Sequence, residues 1–463
     1  MSSISCCHTI KMCWNIEVTS SRWFSSSNLK IVRKKTKFKT EQDHVEAKED
    51  TGVPKSKIKV TNRLNHYKTL VEYFESKQCL NALNKIPTLY VLRKFKTPKC
   101  LYIIDKDVAG QLFKAMEPHL ASYNGHVIEA NAGVGLLTTH LLEAGHPALR
   151  IYESDSLLYT ELQDLLAKYN SNARLIKLNL LPLWTMIKLD QNDHENRFGT
   201  AFEGIAPCAW DSDPVMKIIV AVSSKNFIKH MIYSVVFQGG ICVFGRPELL
   251  ITMPSEEYLK LTALPSHGYW FYRGHTVLFR LLFEHTVLAT VPEKAFVPWM
   301  VKSKQPNTKT GEDDGVMNLV RVSPRRDLFQ MIPPHLIKPF WFFVHTMARN
   351  RQTKLIPNLE KWIPGIGVKL IAKGYNILTP VGSLSPEEFL EIFMEFSSNK
   401  EFSTCSFLPA MESLILRMTS QGLVEEIGAE TTKSSNSGSV DSGEDSVLVY
   451  DDFDLENLPR KPS

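Results

Sequence analysis

The stretch that decides the fold is Val127-Ile-Glu-Ala-Asn-Ala-Gly-Val-Gly-Leu-Leu-Thr-Thr-His-Leu-Leu-Glu-Ala-Gly145. It contains an apolar strand with the acid Glu129, a short loop with Gly133 and Gly135, and an amphipathic run that indicates a helix. Glycine at these positions permits positive φ and leaves the main chain open to a ligand at the helix N-terminus. The stretch therefore predicts the first strand, loop and helix of a nucleotide-binding βαβ unit.

A second acid, Glu153, follows Gly135 by eighteen positions and ends the apolar run that begins at Leu149. An acid at the end of the second strand can accept both ribose hydroxyls of an adenosine. The loop has one glycine fewer than the dinucleotide fingerprint, which weakens a nicotinamide or flavin interpretation. Glu129, the loop and the second acid together resemble the first motif of S-adenosylmethionine-dependent methyltransferases.

Composition and charge indicate a globular body with two charged ends. The chain has 463 residues, of which 43% are apolar, and a formal charge of +5. Residues 1 to 40 hold eight Lys or Arg against the single acid Glu17, whereas residues 422 to 463 hold ten acids against three basic residues. The body between is mildly basic, so charge alone does not establish a nucleic-acid partner.

No apolar run reaches the length of a membrane span, so no membrane partner is expected. The eight cysteines show neither C-x-x-C nor Cys/His ligand spacing. Neither a metal site nor a disulfide framework is predicted.

The two ends have distinct compositions. Residues 1 to 40 are rich in Ser and basic residues, which is typical of a mitochondrial transit peptide; a basic arm that binds nucleic acid is the alternative. Residues 41 to 100 are interpreted as a linker with a helix from Lys57 to Ser76. Residues 422 to 463 are interpreted as an acidic disordered tail.

Residues 101 to 324 alternate between apolar strands and amphipathic helices, which predicts a Rossmann-like α/β domain with a largely parallel sheet. The fully apolar run Met216 to Val222 is expected in the middle of this sheet. Thr286 to Thr290 and Asn318 to Val322 are predicted to close it as an antiparallel pair. Gly240 to Phe244 is predicted as strand five, and Asp105 to Ala121 as a helix that covers the cofactor.

Residues 325 to 421 change to a smaller all-helical composition. Ser385-Pro-Glu-Glu388 is a capping box with proline at the first helical position, so a helix should begin there.

Taken together, these motifs resemble the ribosomal RNA adenine dimethyltransferase family, and within it the mitochondrial branch. The resemblance runs from about Leu101 to Phe396, about two-thirds of the chain. It is carried by the motifs at Glu129 to Thr138 and Tyr152 to Asp155, the aromatic loop near Trp299, and segments of the helical region such as Phe342 to Arg351.

The resemblance implies a site for S-adenosyl-L-methionine. The matching positions are Ile104, Glu129, Gly133, Gly135, Glu153 and Asn179. The family normally has Asp where this chain has Asn179. An amide still forms hydrogen bonds with adenine, so this change weakens binding without abolishing it.

A second departure lies at the end of the apolar run Met216 to Val222, which is the fourth predicted strand. Active family members carry Asn-Leu-Pro-(Tyr/Phe) there, whose side-chain and main-chain acceptors position the target adenine and whose aromatic ring stacks on it. This chain has Ala221, Val222, Ser223 and Ser224. Losing these groups should cost several kcal/mol of transition-state stabilisation, on the order of an oxyanion-type donor, so no catalytic residue is assigned.

The mitochondrial branch implies a transcription initiation factor in the mitochondrial matrix nucleoid, which helps the mitochondrial RNA polymerase to melt promoter DNA. The alternative is dimethylation of adjacent adenines in small-subunit rRNA; a small-molecule methyltransferase is weaker still. Basic residues beside the groove between the two regions are expected to contact single-stranded nucleic acid, and Trp299 or Phe296 to stack on an unpaired base. The basic residues are Arg321, Arg325, Arg326, Arg349, Arg351 and Lys354.

Overall fold

The computed structural model describes residues 82, 85–87, 90, 94–95, 98–169, 173–268, 270–300 and 315–421. All of them belong to one compact unit, Asn62–Ser463. The predicted leader, the helix from Lys57 to Ser76 and the acidic tail lie outside the described residues. The division at residues 324 and 325 remains a prediction.

The first half of the described chain alternates strands and helices. Its elements are β1 (Lys94–Phe95), β2 (Tyr102–Ile103), α1 (Lys106–Leu120), β3 (His126–Ala130), α2 (Leu136–Glu143), β4 (Leu149–Tyr152), α3 (Ser156–Tyr169), β5 (Arg174–Ile176), α4 (Leu183–Asp193), α5 (Arg197–Ala201), β6 (Met216–Ala221), α6 (Asn226–Phe237), β7 (Glu248–Pro254) and α7 (Ser255–Thr262).

The second half closes the sheet and then becomes helical. Its elements are α8 (Gly274–Leu282), β8 (Phe283–Pro292), β9 (Phe296–Val297), β10 (Trp299–Met300), β11 (Val316–Pro324), α9 (Leu328–Met331), α10 (Ile337–Arg349), α11 (Leu355–Leu359), α12 (Ile366–Ala372), α13 (Pro386–Ser397) and α14 (Phe407–Gln421).

Seven strands form one sheet in the order β5-β4-β3-β6-β7-β11-β8. The first five are parallel, whereas β11 is antiparallel to both β7 and β8. The predicted α/β sheet, its buried central strand β6 and its antiparallel closing pair are therefore confirmed. The register places Asn318 opposite Thr290 and Arg321 opposite Thr286. We call the edge where the parallel strands end the carboxyl edge, and the opposite one the amino edge.

One strand prediction was wrong. Gly240–Phe244 forms a short 3-10 helix, and the fifth parallel strand is Glu248–Pro254. The β-prone residues of the first segment misled the prediction, while the true strand begins with an acid and ends with a proline. Glu248 is only 1% exposed. It is buried because Lys217 on β6 and Arg321 on β11 lie 2.9 and 2.7 Å from its carboxylate oxygens.

A hydrophobic core joins one face of the sheet to the C-terminal helices without a break. It includes Ile218 on β6, Phe279 on α8, Phe343 on α10 and Phe393 on α13. The predicted capping box is confirmed: Ser385 Oγ accepts from the main-chain N–H of Glu388 at 3.1 Å, and the Glu388 carboxylate accepts from the N–H of Ser385 at 2.7 Å. A smaller core lies on the other face, where α1 and α2 cover the sheet.

Candidate functional site: a pocket at the carboxyl edge of the sheet

The loop after β3 has the conformation that its sequence requires. Gly133 and Gly135 adopt φ values of 65° and 81°. A Cβ on Gly133 would lie 2.9 Å from the ring of Tyr102, and one on Gly135 would lie 2.6 Å from Leu165. Both glycines are therefore needed for backbone conformation and for close packing. Asn131 also has positive φ, at 56°, which asparagine tolerates better than most residues.

Glu153 is held inside this loop and is fully buried. Its Oε1 accepts main-chain N–H groups of Ser154 at 2.8 Å and Asp155 at 2.9 Å, and its Oε2 accepts that of Gly133 at 3.0 Å. The hydroxyl of Tyr102 lies 3.4 Å from Oε1, the longest of these contacts. Burial raises the pKa of the Glu153 carboxyl, although the three main-chain donors oppose that shift. To contact a ribose, Glu153 would have to give up one of its four hydrogen-bond donors. The hydroxyl of Tyr102 forms the longest and therefore the weakest of these hydrogen bonds.

Glu129 lies at the end of β3 and is 3% exposed. It accepts a hydrogen bond from Thr138 Oγ1 at 2.7 Å. Burial raises the pKa of Glu129 to about 8, partly opposed by this hydrogen bond and reinforced by the negative charge of Glu153. The carboxyl group is therefore neutral near pH 7 and can itself donate a hydrogen bond.

A small pocket of about 20 Å³ opens beside Glu129, between the ends of β3, β6 and β7. Its walls are mainly apolar. They are formed by Leu101, Ile103, Leu112, Met116, Glu129, Ala130, Asn131, Ala132, Leu137, Ile219, Val220, Ala221 and Thr252. Asn131 is 6% exposed, and neither its side-chain oxygen nor its nitrogen has a hydrogen-bond partner in the described structure. A buried carboxamide without partners is costly, so this pocket fits a ligand with polar groups.

The segment before α1 forms one wall of the pocket, because successive side chains along β2 point alternately toward the pocket and away from it. Leu101 and Ile103 line the pocket, whereas Tyr102 and Ile104 pack into a separate cluster on the other side. The structure thus places the predicted Ile104 outside the pocket and two neighbours, which the sequence did not single out, inside it. Strand alternation was the signal that could have identified them.

Asn179 is the remaining predicted cofactor residue, and it lies after β5. Its side-chain oxygen accepts the main-chain N–H of Leu181 at 3.0 Å, and its nitrogen lies 3.5 Å from the sulfur of Cys100. Cys100 precedes the pocket wall directly, and burial raises the pKa of its thiol to about 11. Asn179 therefore contacts the segment that leads into β2, and Glu153 contacts β2 itself through Tyr102.

Residues 221 to 224 lie at the end of β6 and just beyond it, and one of them reaches the pocket. Ala221 lines it, and the main-chain N–H of Val222 donates to Thr252 O at 2.9 Å. Ser223 Oγ donates to the carbonyl oxygen of Pro98 at 2.7 Å. Ser224 Oγ accepts a 3.4 Å contact from the main-chain N–H of Asn226. None of these four side chains offers a carboxamide or an aromatic ring to the pocket.

The predicted basic residues do not form one groove. Arg325 and Arg326 follow β11 at the amino edge, where the main-chain N–H of Arg325 donates to Leu282 O at the end of α8. Arg349 is the last residue of α10, and its neighbour Ala348 lies near the start of α8, where a Cβ on Gly274 would contact it at 3.3 Å. Lys354 follows five residues later, at the start of α11. Nine residues of α8, about 13 Å along its axis, separate the two groups.

Two of the predicted basic residues are engaged within the fold. Arg321 pairs with buried Glu248 in the sheet. Arg351 is 9% exposed, lies 5.2 Å from the ring of Tyr272, and donates to Gly382 O at 3.2 Å and Gly268 O at 3.4 Å. By contrast, Arg326, Arg349 and Lys354 are exposed, and Arg325 is half-buried.

The two predicted stacking residues differ in exposure. Phe296 is 1% exposed and belongs to the core, so it presents no face to a base. Trp299 is half-buried on β10, which pairs with β1, and it packs beside the cluster that contains Tyr102.

No helix in the described part of the chain is long and apolar enough to cross a membrane. Among the same residues, no group of three or more His, Cys, Asp or Glu side chains could hold a metal ion.

The sheet order, the glycine loop with its two acids and the pocket at the carboxyl edge define a Rossmann-like methyltransferase fold with a C-terminal helical region. The family model described as ribosomal RNA adenine dimethylase matches residues 94–398. The chain belongs to the ribosomal RNA adenine dimethylase family, as the sequence motifs predicted.

Among its relatives, the chain is 30% identical to the Drosophila melanogaster protein named dimethyladenosine transferase 2, mitochondrial, over 376 residues. The match covers 72% of this chain and 83% of the relative. It is 24% identical to the Homo sapiens protein of the same name over 319 residues, covering 65% and 78% of the two chains.

Two solved structures show a low overall similarity to this chain. The 23S rRNA methyltransferase ErmE gives a TM-score of 0.39 at 16% identity and covers 64% of this chain and 100% of its own. A dimethyladenosine transferase from Plasmodium falciparum gives 0.39 at 13% identity and covers 66% of this chain and 98% of its own.

Proposed function

We propose that this protein is a mitochondrial transcription initiation factor that evolved from an rRNA adenine dimethyltransferase. It binds single-stranded nucleic acid and assists the mitochondrial RNA polymerase in promoter melting within the matrix nucleoid. The mitochondrial location is supported by the basic, serine-rich leader and by the names of the relatives. The transcriptional role rests on the resemblance to the mitochondrial branch of the family.

The observation that carries the proposal is that residues 221 to 224, at and just after the end of β6, lack the groups that methyl transfer to adenine needs. Methyl transfer to an adenine amino group needs an acceptor that orients that group and a surface that holds the extruded base. Ala221 and Val222 supply no side-chain acceptor, and the Ser223 hydroxyl is used in a hydrogen bond to Pro98. Binding of nucleic acid does not need these groups, so it survives where catalysis is weak or lost.

The pocket nevertheless fits S-adenosyl-L-methionine in part. Glu129, the loop at Gly133 and Gly135, and the partnerless carboxamide of Asn131 would hold its polar groups, and Glu153 would reach the ribose after releasing Tyr102. Asn179 and Ile104 belong to the same proposal, although Ile104 would act through packing behind the pocket wall. When bound, the cofactor supplies an electrophilic methyl group.

For nucleic-acid binding we propose the residues that the structure leaves exposed or half-exposed. These are Arg325, Arg326, Arg349, Lys354 and Trp299. Each exposed cation can contact a phosphate, and the indole of Trp299 can stack on a base at its accessible face. Arg321 and Arg351 are already engaged in the fold, and we expect them to contribute through its stability.

The second candidate is dimethylation of adjacent adenines in mitochondrial small-subunit rRNA. One observation favours it: the loop, Glu129 and the pocket are all in place although the residues after β6 differ from active members. A methyltransferase acting only on small molecules is less favoured, because the pocket is small and a helical region is attached to the sheet.

Promoter-dependent transcription with purified mitochondrial RNA polymerase tests the proposal. We expect run-off transcripts from a linear promoter to depend on this protein, and a premelted promoter to reduce that dependence. A parallel assay with radiolabelled S-adenosylmethionine and the rRNA hairpin should give little dimethyladenosine. Abundant dimethyladenosine without stimulation of transcription would reverse the preference between the two functions.

A further inference from the structure

A cluster of basic residues begins directly after residues 221 to 224. The predicted groove did not include it. Lys225 is the N-cap of α6, and Lys229 lies one turn further along that helix. Lys260 is near the end of α7, and Arg273 is the N-cap of α8. We call these four residues the β6 basic cluster.

Main-chain and side-chain contacts hold the cluster together. The main-chain N–H of Lys225 donates to Glu257 Oε2 at 3.0 Å, and Lys260 Nζ lies 2.6 Å from Glu257 Oε1. Thr276 Oγ1 donates to Lys260 O at 2.8 Å and accepts the main-chain N–H of Arg273 at 3.2 Å. The starts of α6 and α8 therefore point to the same region of the carboxyl edge.

The cluster brings four cationic side chains together in a partly buried setting. Lys260 pairs with the carboxylates of Glu256 and Glu257. Burial lowers the pKa of Lys225 to about 8; Glu257 opposes the shift, and Lys229, Lys260 and Arg273 reinforce it.

The same four cations affect the pKa of His275, which lies on the first turn of α8. Burial, and then the charges of Lys225, Lys229, Arg273 and Lys260, lower its pKa well below the ordinary value. His275 is therefore neutral at physiological pH and does not add to the charge. Its Nε2 has no hydrogen-bond partner in the described structure.

The cluster continues into a narrow cleft between α8 and the helical region, with no room inside it for a water molecule. Arg273 and Arg351 line this cleft together with Tyr272 and Ala348. Exposed Arg349 follows Ala348 at the end of α10. Positive charge thus runs along the carboxyl edge from the residues after β6 to the helical region.

We propose that the β6 basic cluster binds a backbone phosphate of single-stranded nucleic acid, with Lys225 and Arg273 as its direct contacts. The inference rests on the proposed nucleic-acid-binding function and assigns a phosphate site to it. An anion there offsets the mutual repulsion of the cations and receives charge-assisted hydrogen bonds. The N-termini of α6 and α8 add main-chain partial charge of the same sign.

The proposal predicts proton uptake on binding. A phosphate beside Lys225 favours its charged form, so affinity is highest below about pH 8 and falls as Lys225 loses its proton. The groups facing Lys225 are Lys229 on its own helix, Glu257 and Lys260 on α7, and Arg273 and His275 at the start of α8.

The test is binding of the full-length protein to a fluorescent oligothymidylate of about 20 nucleotides. At 0.1 M salt, Lys225→Gln and Arg273→Gln should each weaken binding about fivefold and lower the slope of log K against log salt by about 0.7. Lys225→Arg should retain the affinity and lose the dependence on pH between 7 and 9. Lys168→Gln, which removes an exposed charge on α3, is the matched control and should bind as wild type does.

Labelling of the wild-type protein with an amine-reactive reagent gives a second readout that does not depend on the folding of variants. Bound oligothymidylate should protect Lys225 and leave Lys168 reactive. If the wild type binds but Lys225 stays reactive and Lys225→Gln behaves like Lys168→Gln, the phosphate site is overturned while the proposed function stands. If the wild type does not bind the oligonucleotide, both the phosphate site and the proposed nucleic-acid-binding function are wrong.

Discussion

Ser223 Oγ donates a hydrogen bond to the carbonyl oxygen of Pro98 at 2.7 Å, joining residues 125 positions apart. The segment after β6 thereby ties the chain that leads into β2 to the carboxyl edge. Pro98 is buried, so its carbonyl oxygen has little access to water as a substitute partner.

Replacing Ser223 by alanine should destabilise the protein by about 1 kcal/mol, because the buried carbonyl of Pro98 loses its partner. The segment before β2 should also loosen, which exposes the thiol of Cys100. Chemical denaturation measures the first effect, and the rate of reaction with a thiol reagent measures the second. Ser224→Ala is the control, because Ser224 Oγ makes only a 3.4 Å exposed contact. Equal effects of the two substitutions would contradict the assigned role of Ser223.

Glu129 predicts a specific dependence of stability on pH. Its folded pKa of about 8 lies above the ordinary value of 4.5, so the folded state binds more protons than the unfolded state between these values. The contribution of Glu129 to the free energy of unfolding should fall as pH rises through this window, by at most about 1.4 kcal/mol per pH unit. It should be constant above about pH 8.

The isosteric variant Glu129→Gln cannot ionise and should lack this slope. Urea unfolding of both proteins between pH 5 and 9 measures the difference. The stability of the variant relative to wild type should increase as pH rises. Thr138 can still donate to the amide oxygen, so the variant keeps the hydrogen bond. Parallel stability curves for the two proteins would show that Glu129 is ionised throughout.

Lys217 and Glu248 form a buried ion pair at 2.9 Å, joined by Arg321. Burial alone would raise the pKa of Glu248, but Lys217 and Arg321 hold it below its ordinary value. Lys217→Met should destabilise the protein by roughly 2 to 3 kcal/mol, because the carboxylate loses its buried partner. Arg321→Gln should cost less, since the Arg321 side chain is 39% exposed.

The double variant Lys217→Met with Glu248→Leu removes both buried charges. Its stability should return to within about 1 kcal/mol of wild type, because apolar residues of similar size often replace a buried pair without loss. Denaturant midpoints of the three variants measure this. A double variant less stable than Lys217→Met alone would contradict this expectation and would mean that Glu248 stabilises the sheet through Arg321 without Lys217.

The two basic groups should act differently on nucleic acid. Arg349→Gln with Lys354→Gln removes charge next to the cleft at the carboxyl edge, and it should weaken binding of a short oligonucleotide at low salt. Arg325→Gln with Arg326→Gln removes charge at the amino edge and should matter only for strands long enough to reach both edges. Fluorescence anisotropy with short and long oligonucleotides separates the two. Equal losses with the short strand would mean that a strand contacts both edges at once.

The local sequence predicted much of the sheet because its signals are short-range. The apolar run of β6, the glycine loop after β3 and the capping box at Ser385 each depend on neighbours within a few residues. β7 could not be recognised in this way. Its first residue, Glu248, becomes a strand residue only because Lys217 and Arg321 arrive from two other strands.

The candidate site shows the same division between near and distant interactions. Gly133, Gly135 and Glu153 were identified from spacing, but the sequence did not indicate that main-chain donors and Tyr102 would surround Glu153. It grouped Arg325 with Arg349, which the structure places at opposite ends of α8. It also missed Asn131, whose unpaired carboxamide is apparent only once the pocket walls are known.

The core that runs from β6 through α8 to α10 and α13 has a mechanical consequence. A helical region on a hinge could swing away and widen the cleft beside Arg273 and Arg351. Here such a movement would expose the buried apolar contacts around Phe279 and Phe343 to water. The cleft beside Arg273 and Arg351 therefore keeps one fixed, narrow width.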